Sequence, residues 1–200
     1  MATLIFLLTI ITLFILVIII IIKIINRKSN IAVFRAMAIV ISSYCLLWAV
    51  FYFKSTNKPV PTGTDICFDD WCVSLTKVDQ PISLRKGNQL VNPHGRFFVL
   101  HIQMSNHARG IAQKPSEPRI HIVDGPGHRY TFSKEGQQAL ETLSGKQTSI
   151  GEKLELHQSL ETQLVFDIPK EAKDLYVLIE EGPFITNLLF PDDKEIFVLH

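Results

Sequence analysis

Two cysteines, Cys67 and Cys72, bracket the tetrapeptide Phe-Asp-Asp-Trp and offer the clearest chemistry in this 200-residue chain. Read as a β-hairpin with Asp69-Asp70 as its turn, the stretch makes Phe68 and Trp71 the closing hydrogen-bonded pair. Cys67 and Cys72 then face each other directly as a non-hydrogen-bonded pair, where Cα atoms come to about 4.5 Å. That separation suits a disulfide, and the bond persists only outside a reducing cytosol. Two other readings stand beside it, free thiols and half of a zinc site, but no second cysteine pair completes a ligand set. The short spacing favours a structural disulfide that fixes the hairpin register.

Seven histidines raise the question of a metal. His101 and His121 fall within alternating strand patterns and could share a sheet face, with His157 the loose candidate for a third ligand. The commoner role of such a histidine is a solvent-facing or hydrogen-bonded position on a sheet surface. His94, His107, His128 and His200 fall in loops or at the end of the chain. Asp69-Asp70 and Asp192-Asp193 are paired carboxylates, yet calcium takes about 6–8 oxygen ligands and no Asp-x-Asp-x-Asp run supplies them. Adjacent acids in a turn more often cap the backbone. Nucleophile elbows, phosphate-binding glycine loops and His-Glu-x-x-His are missing from the sequence. The expectation is a protein with no catalytic residue, metal or cofactor, and not an enzyme. The apolar run Gly182–Pro191, with Phe184, Ile185, Leu188, Leu189 and Phe190, reads as a cap on the end of a domain or as a contact surface.

The elements that position these residues divide sharply. Leu4–Ile22 and Ala36–Phe53 contain no charge, and about 20 apolar residues of helix cross a hydrocarbon core of about 30 Å. Residues 1–25 and 36–53 are therefore expected as two transmembrane helices joined by a basic loop, 26–35. A cleaved signal peptide would begin with basic residues and carry an apolar stretch of about 7–15 residues; Met1-Ala2-Thr3 has no basic side chain, and the run that follows is longer. Lys23, Arg27, Lys28 and Arg35 gather in the connection, whereas no acid precedes Asp65. The positive-inside bias then places the loop in the cytoplasm, with both the N-terminus and the C-terminal domain outside. Trp48, Tyr52 and Phe53 fit an interfacial aromatic belt at the outer end. Ala32, Ala36, Ala38 and Ser42 offer small-residue spacings that would let the helices approach.

Beyond residue 58 the chain has 14 basic and 19 acidic residues, a net of 14 − 19 = −5 that excludes an electrostatic footprint for nucleic acid. Residues 54–61, rich in Pro, read as a stiff linker. Short alternating runs follow: Cys72–Val78, Arg96–Asn106, Arg119–Asp124, Arg129–Phe132, Lys153–Leu156, Thr162–Ile168, Leu175–Glu180 and Glu195–Leu199. Phe98, Leu100, Ile102 and Met104 share one face of the longest, and Phe97 and Val99 begin the other. Ser133–Leu143 reads as the one helix, capped by Ser133 and buried through Ala139, Leu140 and Leu143. The pattern predicts an all-β antiparallel sandwich over 62–200.

Four segments also carry a resemblance. They are Asp65-Ile-Cys-Phe-Asp-Asp-Trp-Cys-Val-Ser-Leu75, Gly95-Arg-Phe-Phe-Val-Leu-His-Ile-Gln-Met-Ser-Asn106, Ile122-Val-Asp-Gly-Pro-Gly-His-Arg-Tyr130 and Val165-Phe-Asp-Ile-Pro169. In this order they resemble bacterial extracytoplasmic immunoglobulin-like domains of unknown function, related in fold to secreted mycobacterial immunoprotective antigens. Such domains have a Gly-Lys-Phe strand ending in Asn, an Asp-x-x-Gly-x-x-Tyr turn and a Val-Phe-Asp-hydrophobic-Pro strand. The resemblance spans nearly all of 62–200 and implies an immunoglobulin-like fold, an outward location and no established enzyme activity. The departure is Asp124-Gly125-Pro126-Gly127, whose extra proline bears on the turn.

Together these readings predict a multi-pass protein of the bacterial inner membrane. Its partners would be the bilayer and an unidentified protein, and it would bind or scaffold in the periplasm or its equivalent. The alternative is a carrier or sensor of a small ligand or metal.

Overall fold

The computed structural model describes residues 2–26, 29–68, 70–182 and 194–199. They divide into two compact units, residues 2–56 and residues 57–182 with 194–199.

The first unit is a helix pair. Helix α1 (Ala2–Ile25) is an unbroken apolar run until Lys23 in its last turn. Helix α2 (Ile31–Lys54) begins ahead of the uncharged stretch and takes Arg35 into its first turns. Phe6 near the start of α1 meets Tyr44 late in α2, ring centroids 6.0 Å apart, so the helices run antiparallel. The less exposed stripe of α2 is Val33, Ala36, Met37, Val40 and Tyr44, whereas Ala32, Ala38 and Ser42 are exposed. Of the four small residues, only Ala36 lies in that stripe, beside larger side chains. Trp48 and Tyr52 stack at 5.1 Å. Both helices are long and apolar enough to cross a membrane.

The second unit is a β-sandwich with three hydrophobic clusters of its own. Its strands are β1 (Asn57–Pro59), β2 (Ile66–Phe68), β3 (Trp71–Asp79), β4 (Leu84–Lys86), β5 (Gln89–Val91), β6 (Arg96–Asn106), β7 (Arg119–Val123), β8 (Arg129–Tyr130), β9 (Ser159–Ile168), β10 (Tyr176–Glu180) and β11 (Lys194–Val198). One sheet has the order β1-β11-β10-β7-β8 and the other β2-β3-β6-β9. Phe98, Leu100, Ile102 and Met104 of β6 and Phe166 and Ile168 of β9 meet Ile122, Val177, Ile179 and Phe197 across the core. The other face of β6 and β9 is covered by α3 (Lys134–Ser144) and the β4–β5 hairpin. Phe97, Val99 and Val165 pack there on Ala139, Leu140 and Leu84.

Several elements depart from the sequence expectation. The linker over 54–61 contributes β1, which pairs in parallel with β11, so the sheet is mixed. Its Pro59 is tolerated because an edge strand has a side that owes no ladder hydrogen bond. The β4–β5 hairpin has too few residues per arm for alternation to register. Lys153–Leu156 forms no strand, only an isolated bridge from Leu154 to Gln113. Ser133 caps α3, its Oγ accepting from the Gly136 amide at 3.2 Å, but Leu143 is exposed, so the buried stripe stops a turn early.

Candidate functional site

The two sheets part at one side, and the opening there is a cleft of about 410 Å³, within the range of small-ligand sites. Its walls follow from the strand order. In β7, alternation turns Ile120 and Ile122 into the core and leaves Arg119 and His121 on the outer face. Strand β8 pairs only with Ile122 and Val123, so the Arg119–His121 half of β7 faces the opening. Across from it runs β9, the edge of the other sheet. Ile120, Phe132, Ile150 and Leu164 give the cleft an apolar lining, and α3 and the 145–151 loop bring Gln137, Gln147 and Thr148 to its rim.

Two polar atoms beneath this wall, Arg119 Nη2 and His121 Nδ1, are buried with no hydrogen-bond partner among the described residues, while Arg119 Nη1 lies 3.9 Å from Glu117. Burial depresses the His121 pKa, the Arg129 charge adds to this, and a hydrogen bond to the Tyr130 backbone opposes it. The ring is therefore held neutral near pH 7. On the neighbouring strand β10, Glu180 is buried and paired with Arg129 at 2.7 Å and with Lys194. Burial pushes that carboxyl up, but the two cations outweigh it and hold it below its ordinary value.

The edge of β9 is finished by side chains. The Val165 amide donates to Gln137 Oε1 at 3.0 Å, and Gln137 Nε2 donates to the Gln163 carbonyl at 2.9 Å. The Gln163 amide donates to Gln147 Oε1 at 3.1 Å. Gln137 thus presents to β9 the donor and acceptor of a peptide group.

Of the residues singled out from the sequence, His121 lies at the cleft and the others lie elsewhere. Cys67 and Cys72 are joined in a disulfide across the β2–β3 pair, Cα atoms 4.0 Å apart and in direct register. His101 lies on β6 and His121 on β7, strands of different sheets, so the two share no sheet face. The reason is pairing: β6 sits between β3 and β9, while β7 joins β10 and β8. His101 hydrogen-bonds Asp79 at 2.8 Å, whose pKa is lowered first by Lys77 and also by His101, against some burial. His157 occupies a left-handed turn position before β9 and is exposed. Among the described residues no group of three or more His, Cys, Asp and Glu side chains is placed to hold a metal. Asp70 is exposed; Asp69, Asp192, Asp193 and the apolar residues 183–191 lie outside the described residues. Arg119, Gln137 and Gln147 were not legible as a site, because only the pairing of β9 brings the two glutamines to its edge.

No family model and no curated protein matches the chain. Among solved structures, a conserved hypothetical protein from Bacillus anthracis aligns with a TM-score of 0.50 and 18% identity, over 64% of this chain and 97% of that one. The β-sandwich is shared. At that identity the likeness extends to fold alone. The secreted protein MPT63 from Mycobacterium tuberculosis aligns at 0.46 and 12% identity, over 71% of this chain and 98% of its own. An uncharacterised β-sandwich protein from Clostridium difficile gives 0.45 and 10%, over 73% and 97%.

Proposed function

We propose that this is a membrane-anchored, non-enzymatic binding or scaffolding protein. The two helices hold an immunoglobulin-like sandwich on the outer side of a bacterial cytoplasmic membrane, and the cleft between β7 and β9 takes hold of a protein partner. The anchoring rests on two apolar helices of 24 residues each, and the orientation on the basic residues between them and the acidic domain beyond. The disulfide fits an oxidising compartment. The observation that carries the binding role is the cleft itself, apolar in its lining, beside a β9 edge whose backbone groups are met by glutamine side chains. A concave site with an apolar lining and a few convergent polar groups is the usual place for a ligand.

Thr131 lines the cleft and is exposed, so Thr131→Trp fills the cleft without disturbing a core residue. Crosslinking of the full chain in intact envelopes is expected to give a reproducible adduct that falls about tenfold or more in Thr131→Trp, a loss of about 1.4 kcal/mol. An adduct of equal yield from both proteins contradicts the cleft as the binding surface.

A further inference from the structure

Resting on that reading of the cleft, we infer that the partner enters as an extended peptide strand added to the edge of β9, displacing the side chains of Gln137 and Gln147. An edge strand presents a row of backbone donors and acceptors to any chain that comes alongside. In β9 the outward groups belong to alternate residues, and Val165 and Gln163 show which set it is. The same alternation turns Glu161 and Ser159 to that side. The chain itself begins the pairing: Phe132 forms an antiparallel bridge with Phe166, and the Ser133 amide donates to the Val165 carbonyl at 2.6 Å. At Ser133 the backbone then leaves to form α3. From there onward the edge is occupied by carboxamides standing in for peptide groups.

Glutamines make replaceable partners. Gln137 and Gln147 are only partly buried, so each regains water when displaced, and the incoming backbone restores the hydrogen bonds that each gives up. The cleft beside this edge sets the chemistry of the strand. Ile120, Phe132, Ile150 and Leu164 receive an apolar side chain, and Arg119, whose Nη1 lies 3.9 Å from Glu117, brings positive charge to the opposite wall. A carboxylate suits the guanidinium best. The occupant is therefore an extended segment that alternates apolar and polar residues and carries an Asp or Glu, the mode in which backbone bonds give affinity and side-chain pockets give selectivity.

The test uses the full chain in lipid nanodiscs and a library of acetylated, amidated hexapeptides that alternate apolar and polar residues, each with one Asp or Glu. The best member is expected to bind more tightly than about 1 mM. N-methylation of its alternate amides should weaken it about tenfold, since it loses several backbone bonds. Gln137→Ala and Gln147→Ala should each tighten it about threefold, because the peptide no longer competes with a side chain. Testing the two separately guards against a folding defect in either. Binding that ignores N-methylation yet is lost in Thr131→Trp overturns strand addition and leaves the cleft as a site. A library with no binder, beside an envelope adduct that Thr131→Trp abolishes, also overturns it. Absence of any Thr131→Trp effect in the envelope defeats the cleft reading itself.

Discussion

Asn106 is 2% exposed and has both ends of its carboxamide engaged. Nδ2 donates to the carbonyls of Ile111, Leu154 and Glu155 at 3.1–3.2 Å, and Oδ1 accepts from the Ala108 amide at 2.9 Å. One side chain thus ties together the loop after β6 and the segment before β9. Asn106→Ala leaves those buried groups unpaired and should cost about 2 kcal/mol of unfolding free energy, read from chemical denaturation of the full chain in detergent. Asp124 does similar work in its turn. It accepts from the His128 amide at 2.7 Å, from His128 Nδ1 at 2.9 Å and from Tyr130 Oη at 3.0 Å, while Gly127 takes a left-handed conformation. The proline of Asp124-Gly-Pro-Gly is accommodated inside this turn. Asp167 accepts from the amides of His94 and Gly95, and a Cβ on Gly95 would overlap the Ile168 carbonyl. The motif residues that carry the resemblance are therefore staples of the fold. Their order made the sandwich legible, and for the same reason they say nothing of a ligand.

His121 gives the residue scale a pH signature. Its folded pKa lies below the ordinary value because of burial and the Arg129 charge. As pH falls through about 6.5, the unfolded chain takes up a proton before the folded one does, so stability drops in that window. Asp79, Asp124 and Glu180 have depressed pKa values; their contributions are present above the unfolded carboxylate range and vanish only at lower pH. Denaturation midpoints of the full chain should therefore decline between about pH 7 and pH 5. His121→Gln should flatten that decline. An unchanged slope in the variant would mean that His121 is not the group responsible.

At the scale of elements, the hairpin of β2 and β3 shows how far spacing alone carries. Cys67 opposite Cys72 and Phe68 opposite Trp71 are the pairs that a two-residue turn dictates. The crosslink closes a short loop at the edge of the sheet, so reduction should cost about 2 kcal/mol by loop-closure entropy. The sandwich should stay folded, with its far-ultraviolet circular dichroism retained; global unfolding on reduction would show that the bond holds more than the hairpin. Long, alternating strands such as β6 and β9 were legible because burial on each face leaves a period-2 signal. The β4–β5 hairpin and β1 were not, because three residues are too few to show a period and Pro59 argues against a strand. The two-sided burial of β6 hinted at a cover, and α3 supplies it with Gly136 close against Val165 and Phe97. The histidine pair makes no site for a topological reason, since β6 and β7 follow one another in sequence but belong to different sheets. The cleft was illegible from the start: its donors come from β7, α3 and the 145–151 loop, and no local pattern joins them.

At the scale of the molecule, a helix pair without acidic residues precedes an acidic sandwich, and the proposed orientation rests on that change of sign along the chain. The proposed anchoring would keep the sandwich near the bilayer surface and raise its effective concentration toward partners in the same envelope. A cleft and a strand edge need no catalytic group to serve that role. The orientation is open to one direct measurement, made in a Cys45→Ala background because Cys45 is the free cysteine among the described residues. Intact cells carrying either Ser29→Cys, in the basic connection, or Ile82→Cys, at a position 91% exposed on the sandwich, are treated with a membrane-impermeant maleimide. Ile82→Cys should label in intact cells, and Ser29→Cys only after the membrane is opened. Labelling of Ser29→Cys in intact cells, with Ile82→Cys protected until permeabilisation, would contradict the outward-facing sandwich.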